Sequence, residues 1–101
     1  MTNLEIENLK ILVIEDEENV RTIIKQILKQ VGFHHIYDAE EGGSGFAHTM
    51  RLRPDLVLCD IHMAPVDGLS YLSLVRKAPI PEVRGTRVTR SIFRQLDGAP
   101  T

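Results

Sequence analysis

A chain of 101 residues, 43% hydrophobic and 26% charged with a net charge of −2, has the size and composition of one globular domain. Nothing in that balance points to nucleic acid or a membrane surface, and no apolar run approaches the roughly 20 residues of a spanning helix. One cysteine, Cys59, leaves no internal disulfide, and the acidic N-terminus lacks the basic and apolar regions of a secretory signal, so a cytoplasmic location is expected.

The first element is the apolar, β-rich run Ile11 to Ile14, which suits a strand covered on both faces in a parallel sheet. The acids Glu15 to Glu18 end it. Val20, Ile23, Ile24, Ile27, Leu28 and Val31 then repeat at helical spacing as one apolar stripe, and Gly32 is placed to cap the helix end. A second strand is expected over 33–37 and loop over 39–45. A short helix follows over 44–51, with Phe46, Ala47 and Met50 as its inner face. Leu56 to Cys59 is another continuous apolar run, closed by Asp60. After the loop 61–66, Asp67 can cap a helix that turns Leu69, Leu72 and Val75 inward and ends at Arg76-Lys77. Pro79, Pro81 and Gly85 mark another loop.

The β-α-β-α-β-α order predicts a doubly wound α/β fold, with right-handed crossovers setting the first and third strands side by side. Ligands in such sheets bind beyond the carboxyl ends of the strands at that switch point. Both strands end there in carboxylates, Glu15-Asp16 on one and Asp60 on the other. Taken singly, Glu15 to Glu18 would be first-turn acids favouring a helix dipole, and Asp60 a loop or cap residue. Their meeting at one sheet edge favours a functional reading. Three close carboxylates repel unless a proton or cation lies between them, and all-oxygen ligands favour Mg²⁺ over zinc. A carboxylate can also act as a nucleophile toward a phosphoryl group.

The residues ILVIEDEENVR and PDLVLCDIHMAPVDGLSYL together closely resemble the receiver domain of two-component response regulators. The match runs over 9–86 and rests on an acidic pair after the first strand, D-x-x-M after the third, and a D-G helix start. The resemblance implies a flavodoxin-like sheet of order 2-1-3-4. It implies that Asp60 is the phosphoacceptor, and that Asp16, with Glu15 assisting through water, binds Mg²⁺ together with Asp60 and the backbone carbonyl of His62. It implies a histidine kinase, a phosphotransfer protein or a small phosphodonor as the phosphoryl source.

Two family features are not found. The family's lysine at the end of a fifth strand has no counterpart, because the only lysine after Asp60 is Lys77, inside the third predicted helix. The hydroxyl at the end of the fourth strand is not in register, although Thr89 and Ser91 lie nearby. The pattern fades after Thr86, so 1–101 is read as one receiver-type domain with an atypical tail over 87–101. That tail reads as a truncation, a frame shift, or a shortened receiver completed by a partner or by a homodimer through the incomplete sheet edge. Arg87 and Arg90 suit an edge strand and are the candidate substitutes for the lysine. Without the lysine, Asp60 is expected to phosphorylate slowly or not at all.

The other chemistry-bearing residues are read as structural. Adjacent His34 and His35 point to opposite faces of a strand and do not chelate. Cys59 reads as a buried small hydrophobe, Tyr71 as helix surface or packing, and the C-terminal arginines as a solvated tail. Two other functions compete with the phosphorylated receiver. One is a degenerate receiver acting as a phosphorylation-independent binding module. The other is a small Mg²⁺ phosphatase with an aspartyl nucleophile, disfavoured because His62 stands where a second Asp is needed.

Overall fold

The structure, a computed structural model, describes residues 3–59 and 68–90. Its elements run α1 (Asn3–Asn8), β1 (Lys10–Ile14), α2 (Glu18–Val31), β2 (His35–Ala39), α3 (Gly42–Leu52), β3 (Leu56–Cys59), α4 (Gly68–Arg76), α5 (Pro81–Arg84) and β4 (Arg87–Arg90). The strands form one parallel sheet of order β2-β1-β3-β4, the doubly wound arrangement expected. Residues 91–101, where a fifth strand was not recognised, lie outside the described residues.

The continuous apolar strands are explained by burial on both faces. Leu12 and Ile14 of β1 point into a core with Val57 and Cys59 of β3, Tyr71 and Val75 of α4, and Val83 of α5. Ile11 and Val13 point the other way, onto Val20, Ile24 and Leu28 of α2. The alternation is the two-residue period of a strand. Lys10, at the start of β1, is tied down from β3's side: its N–H donates to Asp55 Oδ2 at 2.8 Å and its Nζ to the Leu52 carbonyl.

Only part of the α2 stripe is core. Val20, Ile24 and Leu28 are buried, whereas Ile23, Ile27 and Val31 are 49%, 37% and 51% exposed. Arg21 and Lys25 reach Asp38 on β2, which fixes the helix rotation and turns the exposed row toward the β3 side. Gly32 closes α2 at φ 123°, and the Phe33 N–H donates back to the Leu28 carbonyl. That closure uses Phe33 in the helix end, which is why β2 starts at His35 rather than at residue 33.

Four further expectations are corrected. The segment 39–45 is not a loop throughout, because α3 begins at Gly42, with Glu41 Oε1 accepting the Ser44 N–H at 2.9 Å. The buried face of α3 is Gly42, Gly45 and Thr49, with Phe46 and Met50 packed at its side and Ala47 exposed. The segment after Pro79 contains the short helix α5, started by Pro81. Its ends are held by arginine: Arg76 Nη1 donates to the carbonyls of Arg84 and Thr86, both at 2.8 Å, and Arg84 Nη1 donates to the Ala78 carbonyl. Lys77 follows α4 rather than lying in it. The N-terminal helix α1 was not anticipated, since six mixed residues show no readable period.

Candidate functional site

The site is built where β1 and β3 stop level with each other. Ile14 pairs with Cys59, the last residue of each strand. Glu15-Asp16 follows one end and Asp60 is bonded to the other, so the two acidic stretches leave adjacent strands at the same edge. Asp60, His62 and Asp67 lie outside the described residues. Among the described residues, no group of three His, Cys, Asp or Glu side chains is arranged to hold a metal.

Glu15 and Asp16 are placed differently. Glu15 is fully buried, its N–H donates to the Ala39 carbonyl of β2, and its Oε2 accepts the Glu17 N–H at 3.0 Å. Its carboxylate thereby shapes the turn into α2. Asp16 is exposed at the tip of that turn. A hard, solvent-facing carboxylate at a strand end fits an oxygen-liganded cation such as Mg²⁺.

Arg21 was missed by sequence reasoning, and it organises this edge. Its Nη1 donates to the Glu15 carbonyl at 2.9 Å, and its Nε donates to Asp38 Oδ2 at 3.1 Å. Nη2 lies 3.9 Å from Glu40 Oε1. The planar guanidinium therefore ties the β1–α2 turn to the end of β2. The available signal was helical: Arg21 sits one position after the buried Val20, on the side of the stripe that faces β2. A cleft of about 460 Å³ opens beside it, lined by Arg21, Asp38, Ala39, Glu40, Glu41, Ser44 and His48. It lies on the β2 side of the acidic turn.

The basic residues considered as lysine substitutes are sorted by register. Lys77 follows the C-terminus of α4, a helix that runs back from the site edge, so it stands at the opposite end of the sheet. Arg87 pairs with Leu56 at the start of β3 and lines a cavity with Leu9 and Asp55, also at the far end. Arg90 pairs with Cys59, at the site edge.

The remaining residues follow the sequence reading in part. His34 and His35 are exposed, and Cys59 is buried. Of the two readings of Tyr71, the packing one holds: it is fully buried, with its hydroxyl 2.6 Å from Thr49 Oγ1. Burial, opposed by that hydrogen bond, pushes its phenol from 10.0 up to about 12. Among the described residues no helix is long and apolar enough to cross a membrane.

Comparison with known proteins agrees with the geometry. The response regulator receiver domain matches residues 11–93, past the point where the sequence pattern fades. A protein-glutamate methylesterase/protein-glutamine glutaminase of Archaeoglobus fulgidus is 31% identical over 86% of this chain and 25% of its own length. Chemotaxis protein CheY of Listeria monocytogenes is 36% identical over 74% of this chain. The chain spans 64% of that CheY's length. Among solved structures, the N-terminal domain of a response regulator receiver protein from Methanoculleus marisnigri superposes with a TM-score of 0.75 at 28% identity, covering 82% of this chain and 65% of that one. The receiver domain of a Pseudomonas aeruginosa sensor histidine kinase, described with magnesium in its active-site cleft, has the same fold, with a TM-score of 0.74 at 23% identity, over 81% of this chain and 65% of that one. With the family match over most of the chain and the fold and strand order in agreement, the chain belongs to the response regulator receiver domain family.

Proposed function

We propose that this chain is a phosphoacceptor receiver of a two-component phosphorelay, with Asp60 as the residue phosphorylated. The observation that carries the reading is the Ile14–Cys59 pairing, which ends two adjacent parallel strands directly before Glu15-Asp16 and Asp60. In the transfer, a carboxylate oxygen of Asp60 forms a bond to phosphorus. The bond from phosphorus to the leaving group breaks, and that group departs with the electron pair. The leaving group is the imidazole of a phosphohistidine on a kinase or phosphotransfer protein, or the carboxylate of a small acyl phosphate.

Asp16, Asp60 and the His62 carbonyl are the ligands suited to Mg²⁺, and the magnesium described in the Pseudomonas receiver supports the same cation here. When bound, such an ion neutralises charge on the phosphoryl oxygens. Glu15, buried and committed to the Glu17 N–H, serves the site by holding the turn that presents Asp16. Arg21 braces that turn through the Glu15 carbonyl. With Lys77 and Arg87 at the far edge, the lysine's role falls to Arg90 or goes unfilled, so slow phosphorylation is expected. The receiver unit is read as the whole of 1–101, and pairing of a second copy along the β4 edge is one route to its self-association, beside the exposed apolar row of α2.

The test is intact-mass measurement after incubation with Mg²⁺ and acetyl phosphate, with Asp60→Asn as control. One phosphate on the parent and none on the control is the expected result. A folded parent that stays unmodified with acetyl phosphate, and also with a phosphorylated histidine kinase, removes this reading and leaves a receiver that acts by binding alone.

A further inference from the structure

Two buried hydroxyls link the helix that follows the Asp60 loop to the strand that carries the acidic pair. Tyr71 lies in the first turn of α4, and Thr49 lies on the buried face of α3; both are 0% exposed. Thr49 Oγ1 donates to the Gly45 carbonyl at 2.9 Å. A hydroxyl has one proton, so at the 2.6 Å contact the Tyr71 O–H is the donor and Thr49 Oγ1 the acceptor. The result is a directional chain from α4, through Thr49, to the α3 backbone at Gly45.

Gly45 is where α3 touches β1. A Cβ there would stand 2.5 Å from Ile14 Cδ1 and 3.0 Å from its Cγ1, so any larger residue at this position requires the Ile14 side chain or the helix to shift. Ile14 is the last residue of β1, immediately before Glu15-Asp16. The contacts thus run without a gap from the first turn of α4 to the residue that precedes the acidic pair. Apolar packing alone does not call for them: Phe and Val would fill the same volume without burying two hydroxyls. A fully satisfied buried polar pair instead selects one relative placement of the elements that carry it.

We propose that Thr49 and Tyr71 are positioning residues for the phosphoacceptor site, their hydroxyl chain holding the N-terminal turn of α4 in one register against α3 and the acidic end of β1. This rests on the reading of the site given above. Both act through backbone: Thr49 through Gly45 and Ile14 on the end of β1 that precedes Asp16, and Tyr71 on the start of α4, which follows residues 60–67 in the chain.

The experiment compares Thr49→Val, Tyr71→Phe, the double variant and Thr49→Ser with the parent. It records the acetyl phosphate reaction by intact mass, the melting temperature, and amide hydrogen exchange at residues 15–17 and 68–71. The maximal rate of phosphorylation is expected to fall about tenfold in Thr49→Val and in Tyr71→Phe, since sub-ångström misplacement of a reacting group is enough for such a loss. The acetyl phosphate concentration for half-maximal rate stays the same. The double variant is no slower than the singles, because they break one unit, and Thr49→Ser recovers the parent rate to within about twofold. Exchange quickens at both 15–17 and 68–71.

Folded Thr49→Val or Tyr71→Phe protein with the parent's rate overturns the proposal. So does failure of Thr49→Ser to recover the rate at a recovered melting temperature. If the parent itself takes no phosphate, the receiver reading fails separately. The exchange data then decide: coupled loosening of both segments keeps the positioning role, and loosening confined to 68–71 removes it. Should Thr49→Val not fold, Tyr71→Phe, which keeps the ring, carries the same comparisons.

Discussion

At the scale of single residues, the most informative group is the Tyr71 phenol. Its folded value is raised from 10.0 to about 12, so the neutral phenol is the form the core accepts. Below pH 10 both folded and unfolded chains hold the proton and the contribution is fully present. As pH rises from 10 toward 12 the unfolded chain ionises first, and stability is lost. The loss attributable to Tyr71 over that window is about 2–3 kcal/mol. Denaturant titrations of parent and Tyr71→Phe should therefore converge as pH rises, since the phenol is the only group by which the two differ. Parallel curves would contradict the buried phenol.

Gly45 yields a second residue-scale prediction. Alanine is the better helix former by about 1 kcal/mol. Its Cβ would meet Ile14 at 2.5 Å in a packed core, and relieving that overlap costs about 1–3 kcal/mol. Gly45→Ala should lower the denaturation midpoint despite its higher propensity. A raised midpoint would mean that α3 shifts without cost.

At the scale of elements, α2 separates hydrophobicity from burial. Ile24 is fully buried and Ile27 is 37% exposed, although both belong to one apolar stripe. Ile24→Ala should cost about 2–5 kcal/mol, while Ile27→Gln should stay within about 0.5 kcal/mol. Equal losses in chemical denaturation would show that α2 is rotated differently. The residues beyond the exposed row, Asn19, Gln26 and Gln30, are also exposed and carry no charge. The charged side chains Arg21 and Lys25 point instead toward Asp38.

Arg21 ties elements together rather than extending one. Its substitution by methionine keeps much of the stem's packing but removes the hydrogen bonds to Glu15 and Asp38. Arg21→Met is expected to slow phosphorylation of Asp60 several-fold, with a loss of about 1–2 kcal/mol in stability for the partly buried bonds. An unchanged phosphorylation rate in folded Arg21→Met would show that the β1–α2 turn keeps its shape without the clamp.

At the scale of the whole molecule, the two faces of the sheet are covered unequally by the described residues. One face is packed by α3, α4 and α5. On the other, the buried helical residues among those described all come from α2, and Leu56 and Leu58 of β3 are partly buried beside them. The row Ile23, Ile27 and Val31 borders that side. An exposed apolar area of this kind favours association. Sedimentation of the parent across a range of micromolar concentrations should show a mass that rises with concentration, and Ile27→Gln should reduce the rise. A strictly monomeric parent would count against it.

The sequence by itself determined the fold class and set β1 beside β3, and its resemblance to receivers carried the full strand order. Short apolar strands closed by acids are a local signal, and chain connectivity with right-handed crossovers does the rest. Residues 11–14 and 56–59 were legible because burial on both faces forces an unbroken apolar run. Strand β2 was misplaced by two residues because its neighbour's helix closure, not its own composition, sets where it begins.

Only the tertiary structure decided the rest, because those features depend on partners distant in the chain. Glu15 and Asp16 are adjacent acids in the sequence, and one is buried with Oε2 accepting the Glu17 N–H while the other is exposed. Lys77, Arg87 and Arg90 are three cations near the C-terminus, and only strand register shows that Arg90 alone among them lies at the acidic edge. Tyr71 and Thr49 are separated by 22 positions, so no periodicity could pair their hydroxyls. A short-range pattern records which residues turn inward, whereas which buried groups meet is fixed by how helices cross the sheet.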